Sequence, residues 1–254
     1  MLNIIACFKW VIDHEDIKIN PETHELVLDR AGYRISDYDR FAIEEAVALT
    51  EQYGGSTTAV TVGLPAAKKS LKDALARGPE KAIFINDPAF HNLEPSQTAA
   101  ILAQSISNQE YDLIICGEGS GDLYAQQVGP RLAEHLNIPC ASFVRKITIE
   151  GRELIAERRV DEGIEVISMP LPALVTVLPE INSPRVPGLK DTLSAAKKPV
   201  VEITASDLGQ TFASCLETVE IKATTMERNC EKFGAEKDEL KRFIDVLCRA
   251  GVVD

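Results

Sequence analysis

Cations are in short supply in this sequence. Lys and Arg number 27 against 39 Asp and Glu over 254 residues, giving a formal net charge of −12. Nucleic-acid binding depends on clustered cations that neutralise backbone phosphates, so no DNA or RNA partner is expected, and a phosphate-bearing ligand has to be held by local backbone donors. Long apolar runs are missing as well. None approaches the roughly 18 residues that a bilayer-crossing helix needs. Met1 opens a short strand-like run, not the charged start and long apolar stretch of a secretory leader. No membrane insertion and a cytoplasmic location are therefore expected. The six cysteines (Cys7, Cys116, Cys140, Cys215, Cys230 and Cys248) include no CxxC pair, and the four histidines are scattered, so neither a redox dithiol nor a metal site is indicated. All six cysteines read as structural, with Cys7 and Cys116 at the ends of apolar runs where a small thiol packs well. The sequence contains no GxSxG elbow, HExxH helix or DxDxDG loop, and no catalytic residue is assigned. Asp13, Glu15 and Asp16 follow a strand and read as a solvated loop.

What is present points to an α/β fold. Leu2–Phe8 is a continuous apolar run of the kind that a parallel strand buried on both faces requires, and the signature recurs at Thr58–Val62, Ala82–Ile85, Leu113–Cys116 and Ala173–Leu178. Helical patterns alternate with these runs. Asp37–Tyr53, capped by Ser36 or Asp37, ends at Gly54-Gly55; Ala66–Arg77 stops at Gly78-Pro79; Pro95–Ser107 and Tyr124–Leu136 follow. Strands alternating with helices through short connections predict a doubly wound, mostly parallel sheet. From about 140 to 169 the rhythm breaks. Phe143–Ile149, Leu154–Val160 and Ile164–Ser168 alternate apolar with polar residues around Glu150-Gly151 and Glu162-Gly163, which predicts an antiparallel excursion.

We therefore expect one nucleotide-binding α/β domain over 1–198. An extended C-terminal arm over 199–254 follows, poor in apolar residues until a helix at Leu240–Leu247. A segment so poor in apolar residues cannot build its own core. It either docks on a partner or trails as a loose tail. Ala195-Ala196-Lys197-Lys198 either attracts an acidic partner or forms the basic last turn of a helix.

In open α/β sheets, ligands sit beyond the carboxyl ends of the strands, where strand order reverses. The residues at and just past these ends are Ala6–Lys9, Val62-Gly63, Asn86-Asp87 and Gly117–Asp122. Gly117-Glu118-Gly119-Ser120-Gly121-Asp122 is the most distinctive. Its glycines can bring backbone N–H groups toward a ligand, and the helix carrying Gln126 and Gln127 follows. It lacks the Walker A and Rossmann registers. On spacing alone it is either a phosphate cradle or a tight turn.

These residues resemble the beta subunit of electron transfer flavoprotein over almost the whole chain. The resemblance is carried by the opening strand with Lys9, Ala42-Ile43-Glu44-Glu45-Ala46, Gly63-Leu64-Pro65, Ala74–Gly78, the Gly117–Gly129 loop and Leu171-Pro172-Ala173. Ile181-Asn182-Ser183-Pro184-Arg185-Val186-Pro187-Gly188-Leu189 ahead of Ala195-Ala196-Lys197-Lys198 carries it most specifically. Ile35–Asp39 and Gly119–Gly129 are most similar to the Fix-type branch, associated with nitrogen fixation and anaerobic carnitine metabolism.

The resemblance implies an adenine nucleotide alpha hydrolase-like fold and an electron carrier, not an enzyme, paired with an alpha subunit that carries the redox FAD. It implies electron transfer from an acyl-CoA dehydrogenase-like flavoenzyme to an acceptor such as a quinone reductase. It also implies a second nucleotide in this chain, AMP as a structural plug or FAD in an electron-bifurcating protein. The family's nucleotide site carries over onto Ala6, Lys9, Ser36, Asp37, Tyr38, Asp39, Val62, Gly63 and the loop Gly117, Glu118, Gly119, Ser120, Gly121, Asp122, Leu123, Tyr124, Ala125, Gln126, Gln127 and Val128. The recognition loop carries over onto about 181–195, where Pro184, Arg185 and Leu189 face a partner and Leu189 is its anchor. One departure stands out: Leu123-Tyr124-Ala125 follows Asp122 where the family has further polar residues, while Gln127 is retained. Two other readings compete. A universal-stress-like nucleotide-binding homodimer leaves the arm unexplained. An ATP-cleaving enzyme of the same fold group requires a Ser-Gly-Gly-x-Asp-Ser loop that Ala6-Cys7-Phe8-Lys9 does not supply.

Overall fold

A computed structural model of the chain describes residues 1–209, 212, 216, 218–224 and 230–253; Cys215 lies outside them. Two compact units are present. The larger comprises Met1–Lys18 and Val27–Ile221, the smaller Ile19–Leu26 and Lys222–Asp254.

In chain order the elements are β1 (Leu2–Cys7), β2 (Trp10–Ile12), β3 (Lys18–Ile19), β4 (Leu26–Val27), β5 (Tyr33–Ile35), α1 (Asp37–Tyr53), β6 (Gly55–Gly63), α2 (Lys69–Ala76), β7 (Lys81–Asn86), α3 (Pro95–Ile106), β8 (Leu113–Gly117) and α4 (Val128–Leu136). There follow β9 (Cys140–Glu150), β10 (Glu153–Val160), β11 (Gly163–Pro170), β12 (Ala173–Val177), α5 (Leu189–Ala195), β13 (Val200–Ile203), α6 (Ala205–Leu208) and α7 (Lys237–Arg249). Nine strands form one sheet in the order β11-β10-β9-β12-β8-β1-β6-β7-β13. The run from β9 through β12, β8, β1, β6 and β7 to β13 is parallel. β10 pairs antiparallel with both β9 and β11. The fold is thus the expected doubly wound, mostly parallel α/β sheet with an antiparallel edge.

The period-2 alternation of the strands builds two cores. Ile4, Ala6, Leu113, Ile115, Ala173 and Val175 face one side, with Ala42, Ile43 and Ala46 of α1 and Leu71 and Leu75 of α2. Their neighbours Ile5, Cys7, Ile114, Cys116 and Leu174 face the other, with Ile101, Leu102 and Ile106 of α3 and Leu132 of α4. Strands buried on both faces carry no polar alternation, which is why they appear in the sequence as continuous apolar runs. Cys7 and Cys116 are buried here; Cys230 and Cys248 are exposed.

Two local features depart from the sequence pattern. α4 begins at Val128, not Tyr124, because Tyr124 (φ 44°) and Gln126 (φ 57°) are left-handed and keep this stretch out of the helix. β13, whose Val200, Val201 and Ile203 are β-branched, extends the main sheet beside β7 where the sequence pattern suggests a polar arm. An edge strand is paired on one side only, so four residues with a central glutamate suffice.

The segment after β12 is fastened to the helices. Asn182 Nδ2 donates to the Phe41 carbonyl and to Glu45 Oε2, each at 3.0 Å. The Arg185 guanidinium forks between Glu44 (2.9 and 3.0 Å) and Glu51 (2.8 and 3.0 Å), and its backbone N–H also reaches Glu44 (2.9 Å). Lys198 donates to the carbonyls of Leu75, Gly78 and Pro79 at 2.7 to 3.0 Å, so its ammonium serves the carboxyl end of α2. Burial holds its pKa below the ordinary lysine range.

α4 packs tightly on β12, where a Cβ built on Gly129 would stand 2.4 Å from Thr176 Cγ2. Gly129→Ala is expected to lower unfolding stability by about 1–3 kcal/mol through overpacking. Urea denaturation checks this; an unchanged midpoint would show that α4 tolerates the methyl group.

Candidate functional site

The sheet changes direction at β1. β6 and β7 lie on one side of it and β8 on the other, so the topological switch point falls between β1 and β8. Their register runs only from Ile4↔Leu113 to Ala6↔Ile115. Beyond it the two backbones part. The Asp39 carboxylate, in the first turn of α1, stands in the fork: it accepts the Lys9 N–H at 2.8 Å and the Gly117 N–H. Ser36, fully buried just ahead of α1, donates its N–H to the Lys9 carbonyl (3.0 Å) and accepts the Gly121 N–H on Oγ (3.2 Å). Ser36, Asp39, Lys9, Gly117 and Gly121 are thereby brought together at the carboxyl edge of the sheet.

The three glycines of the loop have different reasons to be glycine. A Cβ on Gly117 would stand 2.6 Å from Asp39 Oδ1 and 2.9 Å from Tyr38, so its absence lets α1 close on β8. A Cβ on Gly119 would strike the Tyr124 ring at 2.6 Å. That ring lies on Gly119 and against Tyr38, with centroids 5.1 Å apart and planes at 42°. Gly121 is the open one: a Cβ there would meet nothing nearer than Val11 Cγ2 at 3.8 Å and Ser36 Oγ at 3.9 Å.

Charge is arranged around this open position. Lys9 Nζ lies 2.6 Å from Asp122 Oδ2. Burial raises the Asp122 carboxyl, but the Lys9 ammonium, the Ser120 hydroxyl and the Leu123 N–H (2.8 Å) outweigh it and hold the group below the usual carboxylate range. Glu118 is buried, and burial pushes its carboxyl up against the opposing pull of the Tyr124 hydroxyl and Arg159. Arg159 in turn pairs with Glu180 at 2.5 Å. Among the described residues, no group of His, Cys, Asp and Glu is arranged to hold a metal ion.

A protein-family model of the electron transfer flavoprotein domain matches residues 25–208. The chain belongs to the electron transfer flavoprotein domain family. The matched span holds most of this site, from the Ser36–Asp39 turn to the loop, as well as the segment after β12.

In this member of the electron transfer flavoprotein domain family, the expected site residues fall in three places. Ala6, Lys9, the Ser36–Asp39 turn and the loop from Gly117 through Gln127 share the switch point, and Val128 opens α4. Val62 and Gly63 end β6, one strand across, with Gly63 turned against Ala67. Pro184, Arg185 and Leu189 are not brought there. They follow the body of α1 and reach the end of α2, where Arg77 donates to the Arg185 carbonyl at 3.1 Å. Val11, Arg159 and Glu180 border the site without any signal in the sequence, because distant segments bring them in. The switch-point residues suit a nucleotide phosphate: the Lys9 ammonium and the hydroxyls of Ser36 and Ser120 lie around Gly121 and Asp122. No helix among the described residues is long and apolar enough to cross a membrane.

Burial pushes the Asp39 carboxyl up to about 7, against the two N–H donors and the Lys9 ammonium, which favour its charged form. Unfolded, it titrates near 3.8. Between these values the native state holds a proton that the unfolded chain has lost. The contribution of Asp39 to stability is therefore full below about pH 4 and is lost as pH rises through about 7. Unfolding curves from pH 4 to 8 should show the wild type losing stability relative to Asp39→Asn over this window and levelling off above it. Parallel pH profiles of the two proteins would refute the assignment.

Proposed function

We propose that this chain is the beta subunit of a heterodimeric electron transfer flavoprotein, of the Fix-type branch, holding an adenine nucleotide, FAD or AMP, at the switch point. The observation that carries this reading is the convergence of Lys9, Ser36, Asp39 and the Gly117–Gln127 loop on one open position at the fork of β1 and β8. Bound flavin supplies the redox chemistry, and the protein supplies position and electrostatics. In this reading the 1–198 domain binds the nucleotide. The first turn of α4 and the loop N–H groups meet the phosphates, and Tyr38 and Tyr124 offer aromatic surface to a ring system.

The partner side rests on a second observation. Val186, Leu189 and Leu193 are 90, 79 and 62 % exposed, an apolar row on a segment fastened to α1 by Arg185 and Asn182. An exposed leucine on a fixed support suits an anchor for a donor flavoenzyme of the acyl-CoA dehydrogenase kind. In this reading Arg185 acts by holding the segment, since both its carboxylate partners lie within the chain. In the smaller unit, Leu240, Phe243 and Ile244 are exposed along α7, and the 199–254 arm, past β13, which pairs within this chain, is read as packing on the alpha subunit. The complex works in the cytoplasm, passing electrons to a quinone reductase-like or other acceptor.

Co-expression with an alpha subunit, followed by denaturation and quantification of released nucleotide, tests the central reading. Two FAD per heterodimer supports NADH-linked electron bifurcation, and one FAD with one AMP supports a plain carrier; a single nucleotide overturns binding by this chain. Gly121→Val, whose Cβ would make only ordinary van der Waals contact with Val11 and Ser36, should leave the fold intact while lowering occupancy of this chain's site about tenfold or more. Leu189→Ala should slow electron transfer from the donor about tenfold or more with bound flavin unchanged. Loss of flavin from that variant would mean that Leu189 is structural.

A further inference from the structure

The Lys9–Asp122 pair determines more than the shape of the loop. Asp122 gathers the Lys9 ammonium, the Ser120 hydroxyl and the Leu123 N–H around one carboxylate. These are the donor types that a phosphate oxygen would recruit. The neighbouring guanidinium groups are already committed: Arg34 pairs with Asp37 at 2.5 Å and Arg40 with the same carboxylate at 3.1 Å. Arg131 donates to the neutral Gln127 side chain at 3.0 Å, at the far end of the loop. Lys9 is the cation paired with a loop carboxylate, and Asp122 cancels its charge.

Phosphate groups differ in what they demand of such a place. A terminal phosphomonoester carries between about −1.5 and −2 charge at neutral pH, because its second pKa is about 6. Each phosphate of a pyrophosphate diester carries one negative charge. A monoester arriving beside Lys9 meets either the repulsion of Asp122 or the need to break the 2.6 Å ion pair. A diester can take backbone N–H groups and hydroxyls and leave that pair in place.

We infer that Asp122, through its hold on Lys9, is a specificity-determining residue: it tunes the site toward adenine dinucleotides joined by a pyrophosphate diester and against adenine mononucleotides with a terminal phosphate. This rests on the reading of the loop as the phosphate site. It adds the charge class of phosphate accepted and the residue that sets it.

The test is isothermal titration calorimetry on the full chain, wild type and Asp122→Asn, with AMP, ADP-ribose and adenosine. ADP-ribose binds the wild type more tightly than AMP does. Asp122→Asn strengthens AMP binding about tenfold and ADP-ribose binding less than about threefold, and leaves adenosine unchanged. Asp122→Ser, which also removes the charge, shows the same change in selectivity, so poor folding of one variant leaves the other to decide. AMP affinity unchanged or weakened in the variants would overturn the role of Asp122 while leaving the site reading intact. If none of the folded proteins binds either phosphate-bearing ligand, the site reading fails and the selectivity proposal fails with it.

Discussion

Two neighbouring parallel strands whose connections leave in opposite directions must separate at their carboxyl ends, and the backbone N–H groups exposed there need acceptors. In this chain one carboxylate meets that need. Asp39 takes the N–H groups of Lys9 and Gly117 from the two sides of the fork, and much of the site follows from that contact. It fixes the start of α1 against the end of β8, a closeness possible because Gly117 has no side chain. It also sets Tyr38 where the ring of Tyr124 can lie beside it, and Ser36 where its hydroxyl receives the Gly121 N–H. Burying a carboxyl group is costly, and its raised pKa records that cost.

The acidic character of the chain takes on meaning in this light. With 27 cations against 39 acids, many basic side chains near the helices are engaged internally. Arg185 spans two glutamates of α1, Lys198 serves the carbonyls at the end of α2, and Arg34 and Arg40 share Asp37. A phosphate ligand at the proposed site would depend largely on backbone donors and hydroxyls, the kind of recognition that a glycine-rich loop ahead of a helix provides.

The central strands were legible from sequence because burial on both faces removes polar alternation and leaves continuous apolar runs such as Leu2–Phe8 and Leu113–Cys116. α1 was legible to the residue because Ser36 and Gly54-Gly55 bound it. The residues past the strand ends followed from chain direction, but which of them meet at the switch point depends on a strand order that the sequence does not show. Other features depend on contacts that no local pattern encodes. Glu44 and Glu51 lie 141 and 134 residues from Arg185, so a reading along the chain could not show that this arginine is engaged within the molecule. The glycine-rich loop lies at the switch point, yet Gly117 and Gly119 make room for the protein's own Asp39, Tyr38 and Tyr124, and of the three only Gly121 would hold a Cβ in ordinary van der Waals contact. β13 was not expected because its four residues are too short a run to stand out from the polar stretch around them, and α4 starts late because a left-handed backbone at Tyr124 and Gln126 cannot be inferred from those residue types.

The grip of Arg185 on Glu44 and Glu51 also has a consequence for the length of α1. The two acids are seven residues apart, about two helical turns, so they point from the same face, and one guanidinium can span them only while that spacing holds. Inserting or deleting a single residue between them would rotate one acid by roughly 100° around the helix axis. The same change would swing the Asp39 end of α1 out of phase with the Glu51 end. The helix thus works as a ruler, and related chains that keep both the fork and the arginine staple have to keep its residue count as well.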